Sequence, residues 1–165
     1  AQDRECLISL YRSTHGGGQG WRTSRGWPKA DTQGGEWYGV SLGADYRVTA
    51  LKLADNGLAG RLPGDLGGLV MMRYLHVGRN YLTGPIPGGL WDLVNLEWLN
   101  ASENILSGPI RPPLSNLSRL VELNLSSNRL SGVLPPEVCS MGALTTLQLS
   151  FNTLTGALPA EVRVF

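Results

Sequence analysis

The chain has 165 residues, a length that suits one domain. Its 14 Lys+Arg and 13 Asp+Glu leave a net charge of +1, so there is no basic field to hold a nucleic acid and no polybasic run to hold a membrane surface. No apolar stretch approaches the roughly 20 residues of a membrane helix, and the opening Ala1-Gln2-Asp3-Arg4-Glu5 lacks the pattern of a signal peptide.

In chain order, the first expected element is a short amphipathic helix over 3–14. Asp3 can cap it, Leu7, Leu10 and Tyr11 share one face, and Thr14-His15-Gly16-Gly17-Gly18 ends it. Trp21, Trp27, Trp37 and Tyr38 follow in a glycine-rich connector. An isolated tryptophan can serve as a ligand platform. Three of them beside the start of a repeat array read instead as the core of a cap, here 1–47, because the first coil of an array would otherwise expose its apolar edge.

From 48 to 165 the chain repeats every 24 residues. Asparagine recurs at Asn56, Asn80, Asn104, Asn128 and Asn152, leucine two residues later at Leu58, Leu82, Leu106, Leu130 and Leu154, and glycine two after that at Gly60, Gly84, Gly108, Gly132 and Gly156. A fixed period of this size predicts an α/β solenoid in which each repeat is one coil. The alternation in Leu96-x-x-Leu99-x-Ala101 predicts a short strand with its apolar side chains inward, as do Leu75/Val77, Leu123/Leu125 and Leu147/Leu149. The asparagine follows where the chain turns into the core. Its amide can donate to one buried backbone group and accept from another, so a stacked asparagine ladder is expected. The Ile/Leu-Pro steps Leu62-Pro63, Ile86-Pro87, Leu134-Pro135 and Leu158-Pro159 predict an extended segment. The third repeat departs, with Arg111 after Ile110 and Pro112-Pro113 beyond. A short apolar return side follows, as in Leu66/Leu69, Leu90/Leu93, Leu114/Leu117 and Val138/Met141.

The unit Leu-x-x-Leu-x-Leu-x-x-Asn-x-Leu-x-Gly-x-Ile-Pro-x-x-Leu-x-x-Leu resembles the plant-type leucine-rich repeat, over roughly Val48 to Phe165. The resemblance implies a right-handed superhelix of five repeats, a parallel sheet on its concave face, and recognition rather than catalysis. Asp3-Arg4-Glu5-x-Leu7, Trp21, Trp27, Glu36-Trp37-Tyr38-Gly39-Val40 and Arg47-Val48-Thr49-x-Leu51 resemble the N-terminal cap of the same proteins. The two cysteines usual in land-plant caps are replaced by Gly35 and Leu42. This disulfide-free cap is similar to that of brown-algal repeat proteins, where such arrays precede kinase or Roc-COR GTPase domains. The array stops at Phe165, the end of a fifth repeat, without a polar cap. A longer protein, or a partner covering that end, is expected.

Strand positions that do not point inward supply the candidate ligand surface. Successive columns read Ala50, Tyr74, Trp98, Glu122, Thr146; then Lys52, His76, Asn100, Asn124, Gln148; then the small column Ala54, Gly78, Ser102, Ser126, Ser150. Next come Asp55, Arg79, Glu103, Ser127, Phe151, and after the asparagine Gly57, Tyr81, Ile105, Arg129, Thr153. Tyr74, His76, Arg79, Tyr81, Trp98, Asn100, Glu103, Glu122, Arg129 and Phe151 are the expected ligand-binding residues, since Tyr, Trp and Arg anchor interfaces. The alternative is that the aromatics only pack on one another along the sheet. The small column would let a partner approach the sheet closely.

Cys6 and Cys139 are expected several coils apart, too far to bond, and free thiols favour a reducing compartment. Three sequons, at Asn100, Asn116 and Asn124, favour a secreted chain, although the repeat generates Asn-Leu-Ser by itself. Glycans on Asn100 or Asn124 would obstruct the concave face. His15 and His76 are the only histidines, neither beside a local carboxylate or thiol, and no phosphate loop or metal spacing occurs. The expectation is a module without catalytic residues, cofactor or metal that recognises a protein or peptide. It belongs to a receptor ectodomain, to an intracellular Roc-COR sensor, or to a stand-alone inhibitory or structural repeat protein.

Overall fold

The computed structural model describes residues 2–15, 20–27 and 37–157. The Leu158-Pro159 step, Phe165 and the Gly35-Glu36 part of the cap motif lie outside the described residues.

Each repeat contributes one short strand to a parallel sheet: β2 (Val48–Lys52), β4 (Tyr74–His76), β6 (Trp98–Asn100), β8 (Glu122–Asn124) and β10 (Thr146–Gln148), in that spatial order. A strand from the cap, β1 (Val40–Leu42), pairs antiparallel with β2 at one end. Because the period has no insertions, register is kept throughout: Tyr74, Trp98, Glu122 and Thr146 pair across neighbouring strands, as do Lys52, His76, Asn100, Asn124 and Gln148. The leucines between those columns, Leu51, Leu75, Leu99 and Leu123, are fully buried. Each contributes about 1.5–3 kcal/mol by leaving water.

After the strand the chain makes a sharp corner. Asp55, Arg79, Glu103, Ser127 and Phe151 all take positive φ, between 49° and 55°. This is a costly conformation for residues with a side chain, and it recurs because the ladder asparagine that follows holds it in place. The chain then enters a second parallel sheet made of β3 (Ala59–Gly60), β5 (Tyr81–Gly84), β7 (Ile105–Pro109), β9 (Arg129–Val133) and β11 (Thr153–Thr155). Pro63, Pro87 and Pro135 hold extended backbone at the start of 3-10 helices at Gly64–Gly68, Gly88–Asp92 and Pro136–Ser140. In the third repeat Arg111 takes that place before Pro112–Asn116. The return leucines, with Val138 and Met141, are buried.

The asparagine amides bridge coils. Asn80 Oδ1 accepts from the N–H groups of Asn56 and Leu58, at 3.0 Å each, and its Nδ2 donates to the carbonyls of Leu53, Val77 and Gly78. Asn104, Asn128 and Asn152 likewise accept from Leu82, Leu106 and Leu130 of the preceding coil and donate to Val77, Ala101 and Leu125. Asn56 belongs to the first repeat. Its amide grips Thr23 instead, accepting from the backbone N–H and donating to the carbonyl. The 20–27 segment thereby acts as coil zero, with Arg22 also bonded to the Asn56 carbonyl.

The cap helix α1 spans Gln2–His15. The expected capping role of Asp3 is corrected. Asp3 lies within the helix, and its carboxylate takes the Arg47 guanidinium at 2.7 and 3.0 Å and the Val48 N–H at 2.8 Å. The helix is thereby tied to the start of β2, because a nearly buried carboxylate is best served by a cation and an edge N–H. Tyr11, Trp21, Trp27 and Trp37 form a chain of ring contacts with centroids 4.6–5.0 Å apart from Tyr11 through Trp21 and Trp27 to Trp37. Trp21 donates to buried Thr14, and Trp27 to the Tyr38 carbonyl. Cys6 and Cys139 are both free, Cys6 buried and Cys139 partly so.

Candidate ligand-recognition surface

The open face of the first sheet carries one aromatic platform. Tyr74 and Trp98, neighbours on β4 and β6, stack with centroids 4.3 Å apart and planes 4° from parallel. His76 stands edge-on to both, 5.1 Å from Trp98 and 6.4 Å from Tyr74. On the cap side, Lys52 places its Nζ 5.5 Å from the Tyr74 ring centroid, within cation–π range. The aromatics therefore do pack on one another, and all three rings remain partly exposed.

Two ion pairs bracket the platform across the same two repeats. Arg73 pairs with Glu97 at 2.7 Å on one rim, and Arg79 with Glu103 at 3.1 Å on the other. Both are exposed and add little stability.

Burial, followed by the charge of Glu122, raises the Tyr74 pKa above its ordinary 10.0, so the ring stays a neutral phenol. Burial, followed by Arg79, lowers the His76 pKa below its ordinary 6.5. The unfolded chain therefore takes this proton first. The stability that His76 contributes is fully present above pH 6.5 and is lost as the pH falls through the folded value. Replacement by His76→Gln is expected to flatten that part of the pH dependence, measured as urea midpoints between about pH 7.5 and pH 5.

The structure separates the sequence candidates into three places. Tyr74, His76, Trp98, Asn100 and Glu122 lie on the strands of the open sheet. Arg79, Glu103 and Phe151 lie at the left-handed corners, and Phe151 is 83% exposed. Tyr81 and Arg129 are corrected: they begin β5 and β9 and belong to the second sheet, because the corner turns the chain before they are reached. The small column is also less open than expected. Gly78 and Ser102 are buried, and Ala50 of the first column is buried beside β1. Ser102 and Ser126 each bond Asn100 and Asn124 two residues earlier, through both N–H and Oγ, so these asparagine oxygens are engaged. Asn116 is exposed at the end of a 3-10 helix on the return side, away from the platform.

Sequence reasoning missed the Asp3–Arg47 tie and the grip of Asn56 on Thr23. Neither has a periodic signal, because the cap lies outside the 24-residue repeat. Among the described residues no group of His, Cys, Asp and Glu could hold a metal ion, and no helix is long and apolar enough to cross a membrane.

The Leucine Rich Repeat family model matches residues 95–117 and 119–141. No curated protein sequence matches the chain. Among solved structures, the chain is similar to the BIR2 ectodomain of Arabidopsis thaliana, with 32% identity over 96% of this chain and 84% of that one, and a TM-score of 0.86. It is also similar to a chain of the BIR3–SERK2 complex of Arabidopsis thaliana, with 30% identity over 95% of this chain and 85% of that one, and a TM-score of 0.85. The ectodomain of the receptor kinase GASSHO1/SCHENGEN3 of Arabidopsis thaliana, solved with CASPARIAN STRIP INTEGRITY FACTOR 2, gives 27% identity over 97% of this chain and 19% of that one, with a TM-score of 0.90. With its repeat, its two sheets and these relatives, the chain belongs to the plant-type leucine-rich-repeat family.

Proposed function

We propose that this chain is the ligand-sensing module of a larger receptor, and that it binds a protein or peptide on the open sheet centred on Tyr74 and Trp98. The observation that carries the reading is the stacked, partly exposed Tyr74–Trp98 pair with His76 against its edge. Rigid aromatics supply contact area at low entropic cost, and such residues dominate interface energetics. The GASSHO1/SCHENGEN3 ectodomain is solved in complex with CASPARIAN STRIP INTEGRITY FACTOR 2, and another similar chain comes from the BIR3–SERK2 complex, which supports a protein or peptide partner here. The reading is non-catalytic.

The test uses random peptides displayed on phage and selected on the 165-residue protein. Selected peptides are expected to lose at least about thirtyfold in affinity on Trp98→Ala and on Tyr74→Ala, the loss typical of an interface anchor. Retention of affinity by both variants places the ligand elsewhere.

An intracellular sensor beside a Roc-COR GTPase domain is the second reading, supported by the free thiols of Cys6 and Cys139. The domains encoded beside this segment distinguish the two. A kinase behind a membrane helix supports the receptor, and a GTPase domain supports the sensor.

A further inference from the structure

The platform has unlike ends. One face of the Trp98 ring is covered by Tyr74. Its other face looks toward the fourth repeat, where Glu122 is its register partner on β8. Glu122 is partly exposed and has no ion pair among the described residues. At the opposite end, Lys52 lies over the outer face of Tyr74; it too is exposed and has no carboxylate partner among the described residues. The charged side chains that bracket the platform are engaged with one another, Arg73 with Glu97 and Arg79 with Glu103. The two unpaired charges therefore sit at the two ends of one aromatic surface, positive toward the cap and negative toward the fourth repeat.

Resting on the recognition reading above, we infer that the occupant is an extended peptide with two opposite charges. A cationic side chain, Arg or Lys, pairs with the Glu122 carboxylate beside the Trp98 ring, and a carboxylate meets Lys52. An indole face and a carboxylate side by side offer a cation both π attraction and an ion pair, and an arginine can stack and pair at once. The spacing is set by the sheet. Lys52 and Glu122 lie on β2 and β8, three strand steps and two residues of register apart, which is about 16 Å at about 4.8 Å per step and about 3.3 Å per residue. An extended chain covers that span in about five residues. The apolar side chains between the charges would rest on the Tyr74 and Trp98 rings. Charge complementarity at both ends also fixes direction, so a ligand with two like charges is rejected at one end.

The experiment compares selections from the same random heptapeptide phage library on the parent protein, on Glu122→Lys, and on Lys52→Glu, with circular dichroism to show that the variants stay folded. The parent is expected to enrich peptides with an Arg or Lys about five positions from an Asp or Glu. Glu122→Lys is expected to lose about tenfold or more in affinity for those peptides, and to enrich peptides with two carboxylates. Lys52→Glu is expected to enrich peptides with two cations. Three results overturn the inference. Parent-selected peptides that depend on Trp98 but carry no charge pattern, and bind Glu122→Lys equally well, remove it and leave the recognition reading standing. Peptides indifferent to both Trp98→Ala and Tyr74→Ala remove both. A parent that enriches no peptide removes it as well.

Discussion

Asn80→Ala is expected to lower the unfolding free energy by about 3 kcal/mol, read as a fall in the urea midpoint at unchanged slope. The effect is large because one amide serves five backbone groups. The N–H groups of Asn56 and Leu58 lose their acceptor, and the carbonyls of Leu53, Val77 and Gly78 lose their donor. Asn80 is 5% exposed, so water does not readily replace the lost partners. It also holds the left-handed corner at Arg79. Asn152 makes the same kind of bonds to Leu125, Leu149 and Leu130 in a more open coil, where water can substitute. Asn152→Ala is expected to cost about 1 kcal/mol. Equal losses at the two positions would show that burial of the amide is not what sets the cost.

Gly60→Ala is expected to cost about 3 kcal/mol and to loosen the cap helix, combining left-handed strain with overpacking. Gly60 has φ +122°, and a Cβ there would collide with the Ser13 carbonyl oxygen, with the Thr14 Cα close behind at 3.5 Å. Both contacts are at the end of α1, where Arg61 N–H also bonds the Ser13 carbonyl at 3.3 Å. Pushing that end outward breaks the seat of Thr14, which receives the Trp21 indole N–H. The near-UV circular dichroism of the tryptophan cluster is therefore expected to weaken along with stability. Gly88→Ala is the control, because a Cβ there meets nothing within 4 Å. A stable Gly60→Ala protein with an unchanged tryptophan signal would show that the helix end does not need this close approach.

The two substitutions mark the division between what could and could not be read from the sequence. The repeat was legible because its constraints are local and recur: every 24 residues the chain needs an inward leucine, an amide at the corner and a flexible residue beyond it. The period alone therefore gives the solenoid, the burial of Leu75, Leu99 and Leu123, and the position of each ladder asparagine. The aromatic platform was half legible. Register follows from the period, so Tyr74, Trp98 and Glu122 had to be neighbours. Ring geometry did not follow: the near-parallel stack of Tyr74 on Trp98, with Glu122 next to it on β8, is seen only in the structure.

Other features depended on the three-dimensional path of the chain. The corner at Arg79 turns the backbone before Tyr81, which takes that side chain and Arg129 off the open sheet and into the second one. The cap shares no period with the repeats, so its docking contacts join residues far apart in sequence. Asp3 meets Arg47 and Val48, Thr23 meets Asn56, and Ser13 meets Gly60 and Arg61. The sequence by itself determined the coil, because repetition writes the same local physics five times. Only the tertiary structure decided how the first coil is closed and which charges remain unpaired on the open face, since both depend on single contacts that no repeat encodes.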